Sequence, residues 1–274
     1  MKKVINYLTA RPALFFLLAA LIWGGVMYFI NTPFEIQWKD IFVEADGMVF
    51  DLLVFGALLA WYEGKRQENE RVEQEKNLIN DFRGWNKKEA MFRIVGAITR
   101  LNQFGLSKLD LSNCFLKKAN LRGRNLEGAN LFEANLQSAN LSYAKMCGAS
   151  LSGADLRKAQ LVEANLINAM IEEADMREAI LNRANLEGAD LHRSNLQGAC
   201  LDKAKLANTK WYKSILKEAT FLGADLQGAD LEGAIVTDKP GDEWFKELER
   251  WETKGIEEIK RKYRVDEFGS IQLK

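Results

Sequence analysis

The sequence predicts an all-β solenoid with helical segments at both ends, and three observations support this prediction. Every fifth residue from Leu111 to Val236 is apolar, and Leu occupies 20 of these 26 positions. Ala lies two residues before the apolar residue in 20 of the 26 repeats. Gly, which tolerates positive φ, recurs two residues after it at nine positions. A tandem period of this regularity is typical of proteins built from stacked units.

A period of five fits neither a continuous helix nor a continuous strand. On a helix, apolar residues five apart drift around the axis and form no stripe. On a strand, an odd spacing sends successive side chains to opposite faces. Both difficulties disappear if the chain turns a corner once per repeat, because the Ala and the Leu of each short strand then point to the same axis.

The runs Ala119-Asn120-Leu121, Ala154-Asp155-Leu156 and Ala224-Asp225-Leu226 match the signature A(D/N)LXX, so the chain resembles the pentapeptide-repeat family. The resemblance implies a right-handed quadrilateral β-helix with four repeats per coil, in which residues 20 apart stack on one face. The 26 repeats would form 6.5 coils. At about 4.8 Å per coil, the rod would be roughly 31 Å long.

Two places depart from the repeat. Arg124 occupies an inward position where an unpaired charge is costly, so we expect imperfect first coils and an arginine that reaches solvent. Trp211 is too large for a Leu position, so we expect the coil to widen there. The run from Lys210 to Lys213 is either a partner contact that includes Trp211 and Tyr212, or a bulge that the fold tolerates.

The N-terminal region contains two apolar segments. Residues 12–34 carry no charge, and residues 12–30 would form a helix of about 28 Å, close to the thickness of a bilayer core. This segment indicates an uncleaved transmembrane helix, with a cleaved signal peptide as the alternative. The second segment, residues 47–62, is shorter, contains Asp51, and ends in two aromatic residues that suit a headgroup interface.

Basic residues flank this predicted transmembrane α-hairpin on both outer sides, whereas the connecting loop, residues 31–46, is mainly acidic. Basic flanks favour the cytoplasmic side. The sequence therefore predicts a multi-pass protein of the bacterial inner membrane with both termini in the cytoplasm. Asp51 would lie inside the bilayer, where a carboxylate is a candidate functional residue. The alternatives for it are pairing between subunits, lining a small pore, or reaching the outer interface.

Residues 63–105 are predicted to form a helical stalk and an N-terminal capping helix. Residues 63–80 are mostly charged or polar, which indicates a solvated helix, with a flexible linker as the alternative. Asn86 to Glu89 indicates a helix start with a variant capping box, and Gly105 is placed to end that helix. The segment from Asp81 to Trp85 is similar to one in membrane-anchored members of the family.

The chain after the last repeat is predicted to form a C-terminal helical cap. Pro240 and Gly241 break the repeat, Asp242 suits a helix N-cap, and two short amphipathic stretches follow. The alternative is a dimerisation element, as the resemblance implies from soluble relatives. The predicted domains are a two-helix transmembrane anchor (1–62), a stalk with its capping helix (63–105), the repeat β-helix (106–238) and the C-terminal cap (239–274).

The sequence contains no pattern that supports catalysis. Its single histidine, His192, and the cysteines Cys147 and Cys200 occupy outward positions, whereas Cys114 occupies an inward one. No two of these residues have a metal-ligand spacing. No phosphate-binding loop, nucleophile elbow or zinc motif occurs. We therefore predict a protein that is not an enzyme and that uses no cofactor or metal.

Three functions follow from these features. The first is a membrane-anchored, non-catalytic scaffold or protein-interaction module, whose partners are the lipid bilayer and an unknown cytoplasmic protein. The alternative is an oligomeric membrane pore or transporter subunit built on the hairpin, which Asp51 alone supports. The third, a DNA-mimic inhibitor of a topoisomerase, is implied by gyrase-inhibiting family members but needs an acidic rod. Residues 106–236 carry 16 basic and 16 acidic residues, and we expect no nucleic-acid partner.

The candidate partner surface consists of Ile180, Cys200 and Thr220, together with Trp211 and Tyr212. The first three lie 20 residues apart, so they would stack as a small uncharged strip on one face of the rod. Exposed apolar patches can mark contacts with partners. The alternative is that these are ordinary scattered surface residues.

Overall fold

The computed structural model describes residues 38–237 and 243–274, with side chains from residue 52 onward. The chain divides into two compact units, residues 1–73 and residues 74–274. The described helices are α1 (Trp38–Phe82), α2 (Lys88–Gln103), α3 (Glu243–Arg250) and α4 (Ile256–Lys262), and two strands outside the repeat are β1 (Tyr263–Val265) and β2 (Ile271–Leu273).

In the first unit, the described residues belong to α1, which begins at Trp38. The predicted loop over residues 31–46 is therefore wrong for residues 38–46, which are helical. The helix also continues past residue 62, which confirms the helical interpretation of residues 63–80. No proline interrupts this stretch, and ion pairs such as Lys65 with Glu68, at 3.0 Å, join successive turns.

The predicted transmembrane hairpin is not found among the described residues. None of the described helices combines the length and the apolar character that a membrane span requires. The first predicted span, residues 12–30, lies outside the described residues. The second predicted segment, residues 47–62, forms the middle of α1 rather than a separate helix.

The repeat region forms a four-sided β-helix. In each repeat, the outward residue of a very short strand pairs in parallel with the residue 20 positions later, from Asp110 with Asn130 to Ile215 with Ile235. Two backbone hydrogen bonds connect successive coils at each such position. For example, Leu161 N donates to the carbonyl oxygen of residue 180 at 2.7 Å. Because 20 residues equal four repeats, the predicted coil of four repeats is confirmed.

Each repeat ends in a tight corner. The corner is closed by a backbone hydrogen bond, as from Ala159 N to Leu156 O at 3.0 Å. Every fifth residue from Asn113 to Gly233 has φ between 53° and 71°, the region that the third residue of a type II turn occupies. The predicted positive φ at the glycine positions is therefore confirmed. Most of these positions hold residues other than Gly. The ladder bonds on both sides of each corner impose the positive φ on them.

In the repeats where Asn or Asp precedes the central apolar residue, this side chain supports the same corner. Asn140 Oδ1 accepts the backbone N–H of Ser142 at 3.0 Å, and Asp225 Oδ1 accepts that of Gln227 at 3.2 Å. Such Asx bonds give the corner N–H a partner without a further strand. The recurring polar residue is thus part of the fold in these coils.

The interior consists of stacked apolar side chains. The central residue of each repeat from Leu111 to Leu231 has no solvent exposure, and the small residue two positions earlier is buried in nearly every repeat. Burial of one Leu side chain contributes about 1.5–3 kcal/mol. Stability therefore accumulates coil by coil along the rod.

The two sequence departures do not interrupt the ladder. Lys145 N donates to Arg124 O at 2.9 Å, so the expected imperfection of the first coils is wrong. The Arg124 side chain is half-buried, and its Nε atom is buried without a hydrogen-bond partner among the described residues. At the other departure, Trp211 N donates to Asp230 O at 2.8 Å, a normal ladder bond.

Helix α2 closes the first coil. The side-chain amide of Asn102 donates to Asn125 O at 2.8 Å and accepts from Asn125 N at 3.0 Å. One side chain therefore replaces the missing coil for both backbone groups of this strand residue. The helix ends as predicted, because Gly105 has φ 78° and the following N–H bonds back to Leu101 O at 3.1 Å. The predicted capping box is absent, since the N-cap is Lys87 and has no side-chain capping bond.

The C-terminal cap combines helices with strands, which corrects the prediction of a purely helical cap. Trp244 of α3 packs edge-on against Phe221, with ring centroids 6.3 Å apart. Lys254 then pairs in parallel with Asp225, as a further coil would. Residue 270 pairs antiparallel with Ile235, next to β2. The predicted N-cap at residue 242 lies outside the described residues.

Candidate partner-binding surface

Ile180, Cys200 and Thr220 stack on one face of the rod, as their spacing predicts. The structure pairs Ile180 with Cys200 and Cys200 with Thr220 in the parallel ladder. Ile180 exposes 41% of its surface, and the other two residues are half-buried. The three residues therefore form a continuous outward column.

A second column beside it is also poor in charge. We name the two columns together the Ile180 strip. Asp202 is its one charged residue, although charged side chains make up 28% of the chain. The strip consists of Asn140, Ser142, Gln160, Val162, Ile180, Asn182, Cys200, Asp202, Thr220 and Leu222.

The carboxylate of Asp202 is occupied by neighbours within the strip. Its Oδ1 accepts the Thr220 hydroxyl at 2.7 Å and the backbone N–H of Leu222 at 3.1 Å. Thr220 Oγ1 also lies 3.3 Å from Cys200 Sγ. Because Asp202 Oδ1 already has two partners, covering this carboxylate requires less desolvation than covering a free charge.

Charged and aromatic residues border the strip at the corner positions. Arg183 pairs with Glu163 at 3.4 Å. Arg122, which lies one coil before Ser142 in the second column, lies over the ring of Tyr143 at 4.4 Å. Leu222, with 46% of its surface exposed, ends the strip towards the C-terminal cap. An apolar and neutral centre with a polar rim is the usual composition of a protein interface.

Trp211 does not belong to this surface, which corrects its assignment as a partner contact. Its side chain is completely buried, and its indole Nε1 donates to Thr209 Oγ1 at 2.6 Å. Its neighbour Tyr212 is 38% exposed but lies on a different face, 5.8 Å from the ring of His192. The exchange of Ala for Thr at residue 209 was the sequence signal for an internal Trp with its own acceptor.

The candidate membrane residue Asp51 lies in α1, and its side chain is outside the described residues.

A ladder of ion pairs follows another face. Arg157 donates to both carboxylate oxygens of Asp155, at 2.8 and 2.6 Å, and Arg177 contacts Asp175 in the same way. The hydrogen bonds from Arg157 outweigh burial and hold the pKa of Asp155 below its ordinary value. A shallow cavity of about 240 Å³ lies beside these pairs. Since the charges neutralise each other pairwise, the ladder stabilises the coil and presents no free nucleophile or acid.

The three cysteines are free thiols at separate places. Burial is the main cause that raises the pKa of the Cys114 thiol to about 11. Among residues 38–237 and 243–274, no three His, Cys, Asp or Glu side chains form a group that could hold a metal ion.

Comparisons with known proteins agree with this architecture. The family model of pentapeptide repeats matches in eight copies, over residues 106–137, 134–169, 159–198, 169–208 and 199–238. Comparison with curated proteins finds no significant match.

Three solved structures illustrate the similarity. HetL, involved in heterocyst differentiation regulation in the cyanobacterium Nostoc sp. strain PCC 7120, is 30% identical over 48% of this chain and 78% of its own, with a TM-score of 0.27. The protein alr5209 from Nostoc PCC 7120 is 31% identical over 40% of this chain and 80% of its own, with a TM-score of 0.27. Trypsin-treated QnrB1, a plasmid-mediated fluoroquinolone resistance protein, is 23% identical over 46% of this chain and 62% of its own, with a TM-score of 0.37. On its repeats and on these relatives, the chain belongs to the pentapeptide-repeat family, whose fold is the right-handed quadrilateral β-helix.

Proposed function

We propose that this chain is a membrane-anchored, non-catalytic interaction module whose rod presents the Ile180 strip to a cytoplasmic protein. The observation that carries the proposal is the composition of the strip. Its ten residues, between residues 140 and 222, include one charged residue, and that residue is hydrogen-bonded within the strip.

The rod suits this role because its outward side chains stand on a closed ladder. Each strip residue is fixed by at least one backbone bond to the preceding coil, as Cys200 N is to Ala179 O at 2.9 Å. A partner would meet a surface that is already ordered, so association would cost little conformational entropy. The exposed side chains of Ile180 and Leu222 would supply the apolar contact.

The membrane part of the proposal is supported by the sequence. Residues 12–34 contain no charged residue, and basic residues precede this segment at Lys2, Lys3 and Arg11. These features favour an inner-membrane location. The three free thiols suit a rod in the reducing cytoplasm. The equal numbers of acidic and basic residues in the rod do not favour mimicry of nucleic acid.

Photo-crosslinking from two matched positions tests the partner surface. Ile180 and Met170 are apolar residues at the same outward position of their repeats, with 41% and 47% of their surfaces exposed. They lie on different faces, and only Ile180 belongs to the strip. A photoreactive amino acid is placed at one or the other position in the full chain in native membranes, and adducts are identified by mass spectrometry.

The proposal expects a specific protein adduct from position 180 and none from position 170. Ile180→Lys should reduce recovery of that partner at least about ten-fold, since an interface centre tolerates a charge poorly, whereas Met170→Lys should not. Both variants should keep the circular-dichroism spectrum of the parent. Equal adducts from both positions, or capture that survives Ile180→Lys, would refute the strip as a partner surface.

A further inference from the structure

The chain is neutral overall, but its charge is concentrated unevenly. Residues 83–126, which contain α2 and the first coil, hold ten basic and two acidic residues, a net charge of +8. We name this segment the basic cap. Its basic residues are Arg83, Lys87, Lys88, Arg93, Arg100, Lys108, Lys117, Lys118, Arg122 and Arg124.

Two of these charges are used within the fold. Arg83 pairs with Asp110 at 2.8 Å, and Arg100 pairs with Glu75. Most of the others are exposed at the first-coil end of the rod. Lys87, Lys88 and Arg93 belong to α2 and its N-cap. Exposed basic residues of the first coil, Lys118 and Arg122 among them, occupy its corners. The positive charge therefore surrounds one end of the rod.

Large aromatic side chains are exposed in the same segment. Trp85 exposes 56% and Phe92 exposes 58% of its surface. Phe92 lies on the face of α2 opposite to Ile94 and Ile98, which are buried. The Lys88 ammonium lies 5.5 Å from the centroid of the Phe92 ring. Surfaces that combine apolar rings with ammonium groups bind to membrane interfaces. The rings enter the headgroup region and the charges contact lipid phosphates.

We propose that the basic cap docks on the surface of an anionic phospholipid bilayer, with Phe92 and Trp85 at headgroup level. The inference rests on the proposed membrane anchoring, which would hold the cap near a lipid surface. Charge complementarity selects the basic cap as the contact, because the remaining rod, residues 127–237, holds 11 basic and 15 acidic residues and would be repelled. The cap would therefore orient the rod on the bilayer.

A fluorescent label at residue 92 tests the docking in the full chain. Phe92→Cys is introduced with Cys147 and Cys200 changed to Ser, while Cys114 stays because its buried thiol, with its pKa raised to about 11, reacts poorly. An environment-sensitive dye is attached, and quenching by a nitroxide on the lipid headgroup is measured. Vesicles are phosphatidylcholine alone or with about one-third phosphatidylglycerol. Leu222→Cys, 46% exposed at the other end of the rod, is the matched control site.

Quenching at residue 92 should rise at least about two-fold with phosphatidylglycerol, and about 0.5 M salt should reverse the increase. Residue 222 should not respond. Lys87→Glu with Lys88→Glu should remove the response without harming the fold, since acidic residues suit the first turn of α2. Equal quenching in both lipids, or a response that survives the charge reversal, would overturn the docking. A salt-sensitive change in the emission of the dye at residue 92 on addition of a short DNA duplex without vesicles would also overturn it, in favour of nucleic acid.

Flotation with the same vesicles measures the membrane anchoring separately from the docking. If the unmodified chain floats with phosphatidylcholine vesicles but residue 92 stays silent in phosphatidylglycerol, the anchor stands and the docking falls. If the chain does not float with phosphatidylcholine but residue 92 responds to phosphatidylglycerol, the docking stands and the anchoring falls.

Discussion

Thr209→Ala is the sharpest test of how the coil accommodates its largest side chain. Thr209 Oγ1 accepts the indole N–H of Trp211 at 2.6 Å and donates to Leu206 O at 2.6 Å. All of this lies in the interior, where neither Thr209 nor Trp211 is exposed. The substitution leaves a buried N–H without a partner. We expect the free energy of unfolding to fall by about 1–3 kcal/mol, although alanine is the usual residue at this position.

Two further variants complete the test. Ser194→Ala is the matched control, because the Ser194 hydroxyl is also buried and donates to the carbonyl three residues before, at 2.6 Å, but accepts no side-chain donor. It should be close to neutral. The double variant Thr209→Ala with Trp211→Leu restores an ordinary repeat and should be less destabilised than the sum of the two single variants by about 0.5–3 kcal/mol.

The assay is urea denaturation of the full chain followed by circular dichroism, comparing midpoints at unchanged slope. A Thr209→Ala variant as stable as the parent would refute the assignment of Thr209 as the acceptor for Trp211. So would a double variant whose loss equals the sum of the single losses.

Two other predictions concern a charge ladder and a cap. Asp155→Asn should lower stability at neutral pH by about 0.2–1 kcal/mol, because it keeps the corner bond but loses the charge that Arg157 contacts. The folded pKa of Asp155 is lowered, so its contribution to the free energy of unfolding is present above the ordinary Asp pKa of about 3.9 and is lost as pH falls through the lower folded value. Denaturation at several pH values should therefore show that acid lowers the stability of the variant less than that of the parent. An unchanged pH profile would contradict this. Gly255→Ala should expose the C-terminal cap to proteolysis, because φ is 83° and a Cβ would lie 2.8 Å from Gln227 N. Gly198→Ala, where a Cβ would meet Glu178 Cγ at 3.7 Å, should cost only about 1 kcal/mol, and equal sensitivity of the two variants would contradict the packing argument.

The repeat was predictable because its period is a property of the sequence itself. Leu at every fifth position and positive φ at Gly153 or Gly188 follow from one rule, which the ladder then repeats. The column of Ile180, Cys200 and Thr220 followed from the same rule, once the coil length of 20 residues was assumed. A local pattern was sufficient wherever the same contact recurs in every coil.

The remaining features depend on single contacts that do not recur. From the sequence, Trp211 is too large for an interior Leu position and could also be an exposed contact residue. Its burial is explained by the hydrogen bond between its indole N–H and Thr209. Lys254 extends the ladder beside Asp225, but a single added strand has no period to reveal it. Asn102 caps Asn125 across 23 residues, which composition does not indicate. Long-range pairing therefore determined what the sequence pattern left open.

The distance between two spin labels tests the four-sided coil most directly. Arg122 and Leu222 are exposed, 100 residues apart, and occupy the same position of the same face five coils apart. With Cys147 and Cys200 replaced, labels at these two sites are measured by double electron–electron resonance. The coil predicts a narrow distribution centred at about 24 Å, at about 4.8 Å per coil. A broad distribution, or a mean beyond about 35 Å, would contradict a chain that completes one coil every 20 residues.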